Sequence, residues 1–201
     1  MTISLRHQPM FKTILSLLIL ALLPNLAYAH VGIGEASGWA HGLLHPFIGM
    51  DHLCAMIAVG LWAKQMGGRA VWFVPLTFVS IMALGGLLGI AAIPLPFVEV
   101  GILMSLLVLG VLIAAAIRLP LPASATLVGI FALFHGYAHG AEMPQTASGV
   151  SYALGFMLAT ATLHTTGIGM AIGLNKIGRP QWLRLAGVSI AMFGGALYFV
   201  G

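Results

Sequence analysis

Charged residues are scarce in this sequence. Lys and Arg together number 8 and Asp and Glu number 4, so charged side chains make up 6% of the 201 residues. A soluble domain carries roughly a quarter charged residues, so this composition excludes that class. Cys54 is the one cysteine, which excludes an intramolecular disulfide and a cysteine-rich zinc or iron–sulfur site. The basic residues stand singly between apolar runs, and we therefore expect no nucleic-acid partner.

Apolar residues fill the chain instead. They make up 60% of it, and the mean hydropathy is +1.07. The sequence therefore predicts an all-α, polytopic helical bundle in the lipid bilayer. Apolar length places six transmembrane helices, at about 42–63, 71–92, 97–117, 123–141, 149–174 and 183–200. Small residues spaced four apart, such as Gly85/Gly89 and Gly169/Gly173, predict close helix packing.

The N-terminus has the features of a secretory signal. Residues 1–29 combine early basic residues, an apolar stretch too short to span a bilayer, and an Ala-Tyr-Ala cleavage sequence. Cleavage would leave 30–201 as the transporter domain and place the new N-terminus outside the cytoplasm.

The basic residues of that domain test the topology. With the N-terminus outside and six spans, every one of them falls in a cytoplasmic connection, as the positive-inside rule requires. These residues are Lys64, Arg69, Arg118, Lys176, Arg179 and Arg184. We therefore expect both termini to be periplasmic.

The first predicted span contains three ionisable residues: His45, Asp51 and His52. Such residues cost at least a few kcal/mol in a bilayer unless they are paired, hydrated or bound to a ligand. On one continuous helix, His41, His45, His52 and Met56 would share a narrow stripe, with Asp51 to one side. The alternative role is interhelical hydrogen bonding by histidine, which three such groups within eight residues disfavour.

Pro46 lies inside this cluster, and the sequence allows two structural roles for it. It is either a tolerated first-turn residue, or it opens the helix and frees backbone carbonyls toward a cavity.

A second cluster lies in the fourth predicted span. His135, His139 and Glu142 are spaced i, i+4, i+7 and share a face if the helix continues that far. Two histidines at this spacing can hold one metal ion, and a carboxylate adds an oxygen ligand or a hydrogen-bond acceptor for an imidazole. The alternative for Glu142 is a hydrated charge at a helix end.

The fifth predicted span contributes His164, near mid-depth. Its neighbouring threonines either line a polar path or bond back to their own helix carbonyls. These are Thr160, Thr162, Thr165 and Thr166.

Imidazole combined with carboxylate suits nickel, cobalt, zinc or copper(II), and argues against magnesium and calcium. The ligand types alone leave these four metals open. A bis-histidine cytochrome and a zinc metallohydrolase are rival classes. Haem ligation needs no carboxylates, and the sequence contains no HExxH motif.

Two longer motifs indicate a family. HPFIGMDHLCAMIAVGLWA, from His45 to Ala63, and FHGYAHGAE, from Phe134 to Glu142, closely resemble the two signatures of the HupE/UreJ family. The resemblance implies a bacterial inner-membrane permease that is not an enzyme and needs no organic cofactor. It would import Ni²⁺, with Co²⁺ as the substrate of some members, for hydrogenase or urease maturation proteins. The spacing of His45, Asp51 and His52 is also similar to the His-x4-Asp-His motif of nickel/cobalt transporters, although one residue longer.

The sequence thus predicts a transport site made by both motifs. Its ligands are His45, Asp51, His52, His135, His139 and Glu142, and release to the cytoplasm passes His164. Weaker candidates are His30, His41 and Met56.

Overall fold

The computed structural model of the chain describes residues 38–143 and 148–200. Helices are the only regular secondary structure in these residues. After α1 (Gly38–Leu44) and a 3-10 turn (His45–Phe47) come α2 (Met50–Met66), α3 (Ala70–Ile90), α4 (Val98–Ala114), α5 (Leu121–Ala141), α6 (Gly149–Lys176) and α7 (Pro180–Val200). The predicted signal sequence and His30 lie outside the described residues.

Helix α2 is the centre of the bundle. It packs against α3, α4, α6 and α7. Nearly every residue from Ala55 to Ala63 is buried, including the large side chains of Met56 and Trp62. A helix that is apolar on all sides is typical of such a central position. Around it, α3 packs along α5, α4 along α7, and α1 along α6.

Four helices are long and apolar enough to cross a membrane: α3, α5, α6 and α7. The bent pair of Gly38–Phe47 and Met50–Met66 gives a fifth span if it is counted as one. Helix α4 is apolar but has 17 residues, fewer than the roughly 20 that a straight span needs. The chain is therefore an all-α membrane protein, and the sixth span stays a prediction.

The first span is broken next to Pro46, which agrees with the alternative that this proline opens the helix, and the prediction of one stripe on a continuous helix is wrong. The segments before and after Ile48 and Gly49 differ in direction by 79°. Pro46 lies in the first turn of the 3-10 segment, and Gly49 caps α2 with extended backbone angles. Because proline cannot donate a backbone hydrogen bond, the helix is interrupted here. His41 and His45 consequently do not share a helical stripe with His52 and Met56.

Close helix packing depends on some of the glycines. A Cβ on Gly85 would collide with the backbone oxygen of Leu133, and one on Gly89 with that of Tyr137, so α3 approaches α5 closely. The predicted role of Gly169 and Gly173 is wrong within the described part of the chain. A Cβ on either would have no neighbour within 4 Å.

Candidate metal site

Three potential ligands from two motifs meet at the start of the central helix. His45 and His139 each offer a ring nitrogen and Glu142 a carboxylate oxygen, and all three atoms lie within 4.8 Å of one another. Nε2 of His45 is 3.4 Å from Oε2 of Glu142. The bend after His45 turns this side chain toward the end of α5. Helix α5 ends at Ala141, so Glu142 lies just beyond it as the capping residue.

Asp51 and His52 form a second group beside the first. Nδ1 of His52 is 3.0 Å from Oδ1 of Asp51. Because an ionised carboxylate only accepts hydrogen bonds, Nδ1 carries the proton and Nε2 keeps its lone pair. Gly49 makes room for the pair, since a Cβ there would lie 2.8 Å from Oδ1 of Asp51. Carboxylate–histidine pairs of this kind orient an imidazole for a metal ion.

His139 connects the two groups. Its ring centroid lies 4.7 Å from that of His45 and 4.2 Å from that of His52. His135, one turn earlier in α5, is 5.0 Å from His52 by the same measure. The four imidazoles therefore form a continuous path from the surface into the buried interior, where His135 is fully buried.

Several buried ring nitrogens have no hydrogen-bond partner among the described residues. They are Nε2 of His52, His135 and His164 and both nitrogens of His139. Nδ1 of His135 bonds to the carbonyl of Phe131, and Nδ1 of His164 to that of Met56. A carbonyl only accepts, so each Nδ1 carries the proton and each Nε2 presents a lone pair. Unsatisfied buried polar atoms are rare in proteins, and here they are the atoms that would bind a metal ion.

A cavity of about 260 Å³ gives access to the site. Asp51, Glu99 and Glu142 all line it, together with His45, His52 and His139. Glu99 was not among the site residues predicted from the sequence. It is an ionisable residue in the first turn of α4, an otherwise apolar helix, and that position could have indicated a functional role.

His164 lies apart from the other imidazoles. The Phe78 ring, which is fully buried, stands 5.7 Å from the ring of His135 and 5.1 Å from that of His164. Phe78 is therefore a common neighbour of His135 and His164. It is a second residue that the sequence did not single out, since one phenylalanine among many apolar residues carries no signal.

Three of the four threonines do not line an interior path. Thr162, Thr165 and Thr166 are exposed and bond back to carbonyls of α6, the alternative that the sequence had left open. Thr160 is buried and donates to the sulfur of Met82, 3.6 Å away.

Two of the weaker candidates, His41 and Met56, do not line the cavity. His41 is exposed on α1. The side chain of Met56 belongs to the hydrophobic core, and its backbone carbonyl holds His164. Cys54 is a half-buried free thiol that packs against the core.

Comparison with known proteins agrees with the two motifs. The model of one family, described as HupE / UreJ protein, matches residues 18–197. The chain belongs to the HupE/UreJ family. It is 46% identical over 188 residues to Protein HupE of Rhizobium leguminosarum bv. viciae, which covers 93% of this chain and 97% of that protein. No solved structure matches the chain.

The HupE/UreJ match covers α1 to α6 in full and α7 as far as residue 197, and it confirms the family resemblance predicted from the two motifs. The structure adds that these motifs, distant in sequence, meet in space. The first supplies His45, Asp51 and His52 and the second His139 and Glu142, and these five residues line one cavity with Glu99. His135 of the second motif lies behind them, with its ring 5.0 Å from that of His52.

Proposed function

We propose that this HupE/UreJ protein imports Ni²⁺ across the bacterial inner membrane for hydrogenase or urease maturation, with Co²⁺ as an alternative substrate. The single observation that carries the proposal is the meeting of His45, His139 and Glu142, whose ligand atoms lie within 4.8 Å of one another. Imidazole nitrogen with carboxylate oxygen is a donor set for late first-row divalent ions.

Charge at the cavity favours a cation. Three carboxylates, those of Asp51, Glu99 and Glu142, line the cavity, and no Lys or Arg does. Negative side chains around a partly desolvated opening raise the local concentration of cations. Hydrated Ni²⁺ would be captured there and would exchange water for His45, Glu142 and His139.

The charges at the two ends of the bundle support an orientation in the membrane. Asp51 lies at the start of α2, and Lys64 lies near the end of the same helix, about 20 Å away at 1.5 Å per residue. Lys64, Arg118 and Arg184 gather around a cavity at that second end. Under the positive-inside rule the basic end faces the cytoplasm, so the metal site opens to the periplasm.

Passage inward would follow the histidines. The ion would move from His139 and His52 to His135, and then past the Phe78 ring to Nε2 of His164. Each of these imidazoles holds a lone pair on a buried nitrogen. The Phe78 ring is fully buried next to both His135 and His164, and such an apolar neighbour would oppose an open channel for protons.

The geometry does not favour the haem alternative. The rings of His52 and His139 lie edge to face with centroids 4.2 Å apart, which leaves no plane between them for a haem macrocycle. A zinc hydrolase would use the same ligands, His45, His139 and Glu142, and uptake of Ni²⁺ into proteoliposomes distinguishes it from a permease.

Uptake of radioactive Ni²⁺ into proteoliposomes tests the proposal. We expect time-dependent uptake that excess unlabelled Ni²⁺ or Co²⁺ reduces, and liposomes without protein serve as the control. An imposed proton gradient and an imposed potential, applied separately, identify the driving force. Protein that binds Ni²⁺ but gives no uptake above empty liposomes would contradict transport.

A further inference from the structure

The end of the bundle opposite the metal site contains a cavity of about 520 Å³, here called the basic-end cavity. Its lining brings together Lys64 of α2, Arg118 of the connection before α5, and Arg184 of α7. Three cations from distant parts of the sequence therefore converge on one space.

These cations have no acidic partner in the described part of the chain. The acidic residues there are Asp51, Glu99 and Glu142, and all three line the cavity at the other end. In the described residues, the two close contacts between a carboxylate and a basic side chain both involve histidine at that other end. No carboxylate among the described residues therefore offsets the repulsion among Lys64, Arg118 and Arg184. Lys64 is in addition half-buried. A partly desolvated charge without a counterion is unfavourable.

Capping of a helix end does not account for all three cations. Helix α4 ends beside the cavity, and the carbonyls of its last turn and of the residues just after it accept hydrogen bonds from side chains. Three side chains donate hydrogen bonds to these carbonyl oxygens: Arg184 to that of Ala114 at 2.7 Å, Gln65 to that of Ile113 at 3.0 Å, and Trp62 to that of Ile117 at 2.9 Å. Of the three cations, only Arg184 therefore caps the end of α4. Lys64 and Arg118 make no side-chain hydrogen bond with any described residue, so their charge remains available to a ligand.

We propose that the basic-end cavity binds the phosphate group of an anionic molecule, most directly the headgroup of an anionic phospholipid. The cavity lies where α2, α4 and α6 end, and the ends of membrane-spanning helices lie near the headgroups of the bilayer. Basic pockets between transmembrane helices at this level are a recurrent way of binding such headgroups. Lys64 and Arg118 contact the phosphate, and Arg184 does so with the guanidinium nitrogens that do not cap α4. This role is separate from metal transport.

A lipid titration of the purified full-length protein tests the proposal. The protein in neutral detergent is titrated with short-chain phosphatidylglycerol, with the matching phosphatidylcholine, and with sodium phosphate at constant ionic strength. The readout is the midpoint of thermal unfolding, from which the apparent affinity follows. Phosphatidylglycerol raises the midpoint and phosphatidylcholine does not. If inorganic phosphate raises the midpoint at the same concentration as the lipid, the cavity binds phosphate but its ligand is a soluble anion and not a lipid headgroup.

Two matched double variants locate the effect. Lys64→Gln with Arg118→Gln removes two cations from the cavity, and we expect it to weaken the affinity for phosphatidylglycerol about 30-fold. Lys176→Gln with Arg179→Gln removes the same charge from exposed positions at the same end that do not line the cavity, and it retains the wild-type affinity. Equal weakening in both, or in neither, overturns the proposal.

Lys64→Arg with Arg118→Lys is the control for loss of structure at these two positions. It changes both side chains but keeps both charges, so it should keep the response to phosphatidylglycerol. If this variant folds and does not respond, the proposal that charge holds the phosphate is contradicted.

Discussion

Nε2 of His45 lies 3.4 Å from Oε2 of Glu142, although one residue precedes the central helix and the other follows the end of α5. Neither side chain is deeply buried, so the contact is worth little as a surface ion pair. Its significance lies in position, because both atoms face the same cavity as His139 and can act as ligands together.

The carboxylate of Glu142 gives the first prediction. Glu142→Gln keeps the shape of the side chain and removes its charge, so we expect Ni²⁺ uptake at low metal concentration to fall at least about tenfold. His41→Gln is the control, because His41 is exposed on α1 and does not line the cavity. Normal uptake by a well-expressed Glu142→Gln variant would show that the Glu142 carboxylate is not a ligand that transport requires.

His164 should separate binding from transport. It lies next to Phe78, which also neighbours His135, and its Nε2 has no partner among the described residues. We therefore expect His164→Gln to reduce uptake at least about tenfold while equilibrium Ni²⁺ binding, measured by calorimetry, stays within about twofold of wild type. His139→Gln is the comparison and should lose both. A His164 variant that transports normally would show that the inner position is not on the path.

The pH dependence follows from the ligands. Metal binding requires neutral imidazoles, and protons compete for the same nitrogens. We expect the apparent Kd for Ni²⁺ to be lowest at a pH where the ligand imidazoles of the metal-free protein are neutral. Below the pKa values of these imidazoles, the Kd should rise by about tenfold per pH unit for each proton displaced. His139→Gln should show a shallower slope. A slope that this variant leaves unchanged would argue against His139 as a ligand.

A glycine pair tests the packing of α2 against α6. A Cβ on Gly60 would collide with the backbone oxygen of His164, whereas a Cβ on Gly169 would meet nothing within 4 Å. Gly60→Ala should therefore destabilise the protein by about 1–3 kcal/mol. Gly169→Ala should leave stability unchanged or raise it, because alanine favours the helix by about 1 kcal/mol. Thermal unfolding in detergent measures both, and similar midpoints would contradict the close approach of the helices.

Much of the architecture could be read from the sequence, because its causes are local. Apolar runs of membrane length predict helices wherever they occur, and the helices Ala70–Ile90, Leu121–Ala141 and Gly149–Lys176 lie close to the predicted bounds. The two motifs could also be found, since a histidine or a carboxylate in an apolar run stands out without any knowledge of its neighbours.

Tertiary structure alone decided which of these residues meet. Helical periodicity placed His45 and His52 on one stripe, but the break at Pro46 and Gly49 turns α1 by 79° and brings His45 to Glu142 instead. Glu99 joins the cavity only because α4 packs beside α2.

The glycines and Phe78 show the same limit. Gly60 and Gly169 look alike in sequence, and only the presence of a neighbouring backbone distinguishes them. Phe78 is one apolar residue among many in the sequence, and only the packing of α3 brings its ring next to both His135 and His164. The sequence by itself determined the class of protein, its helices and the chemistry available. The arrangement of that chemistry around one cavity came from long-range packing, which no local pattern encodes.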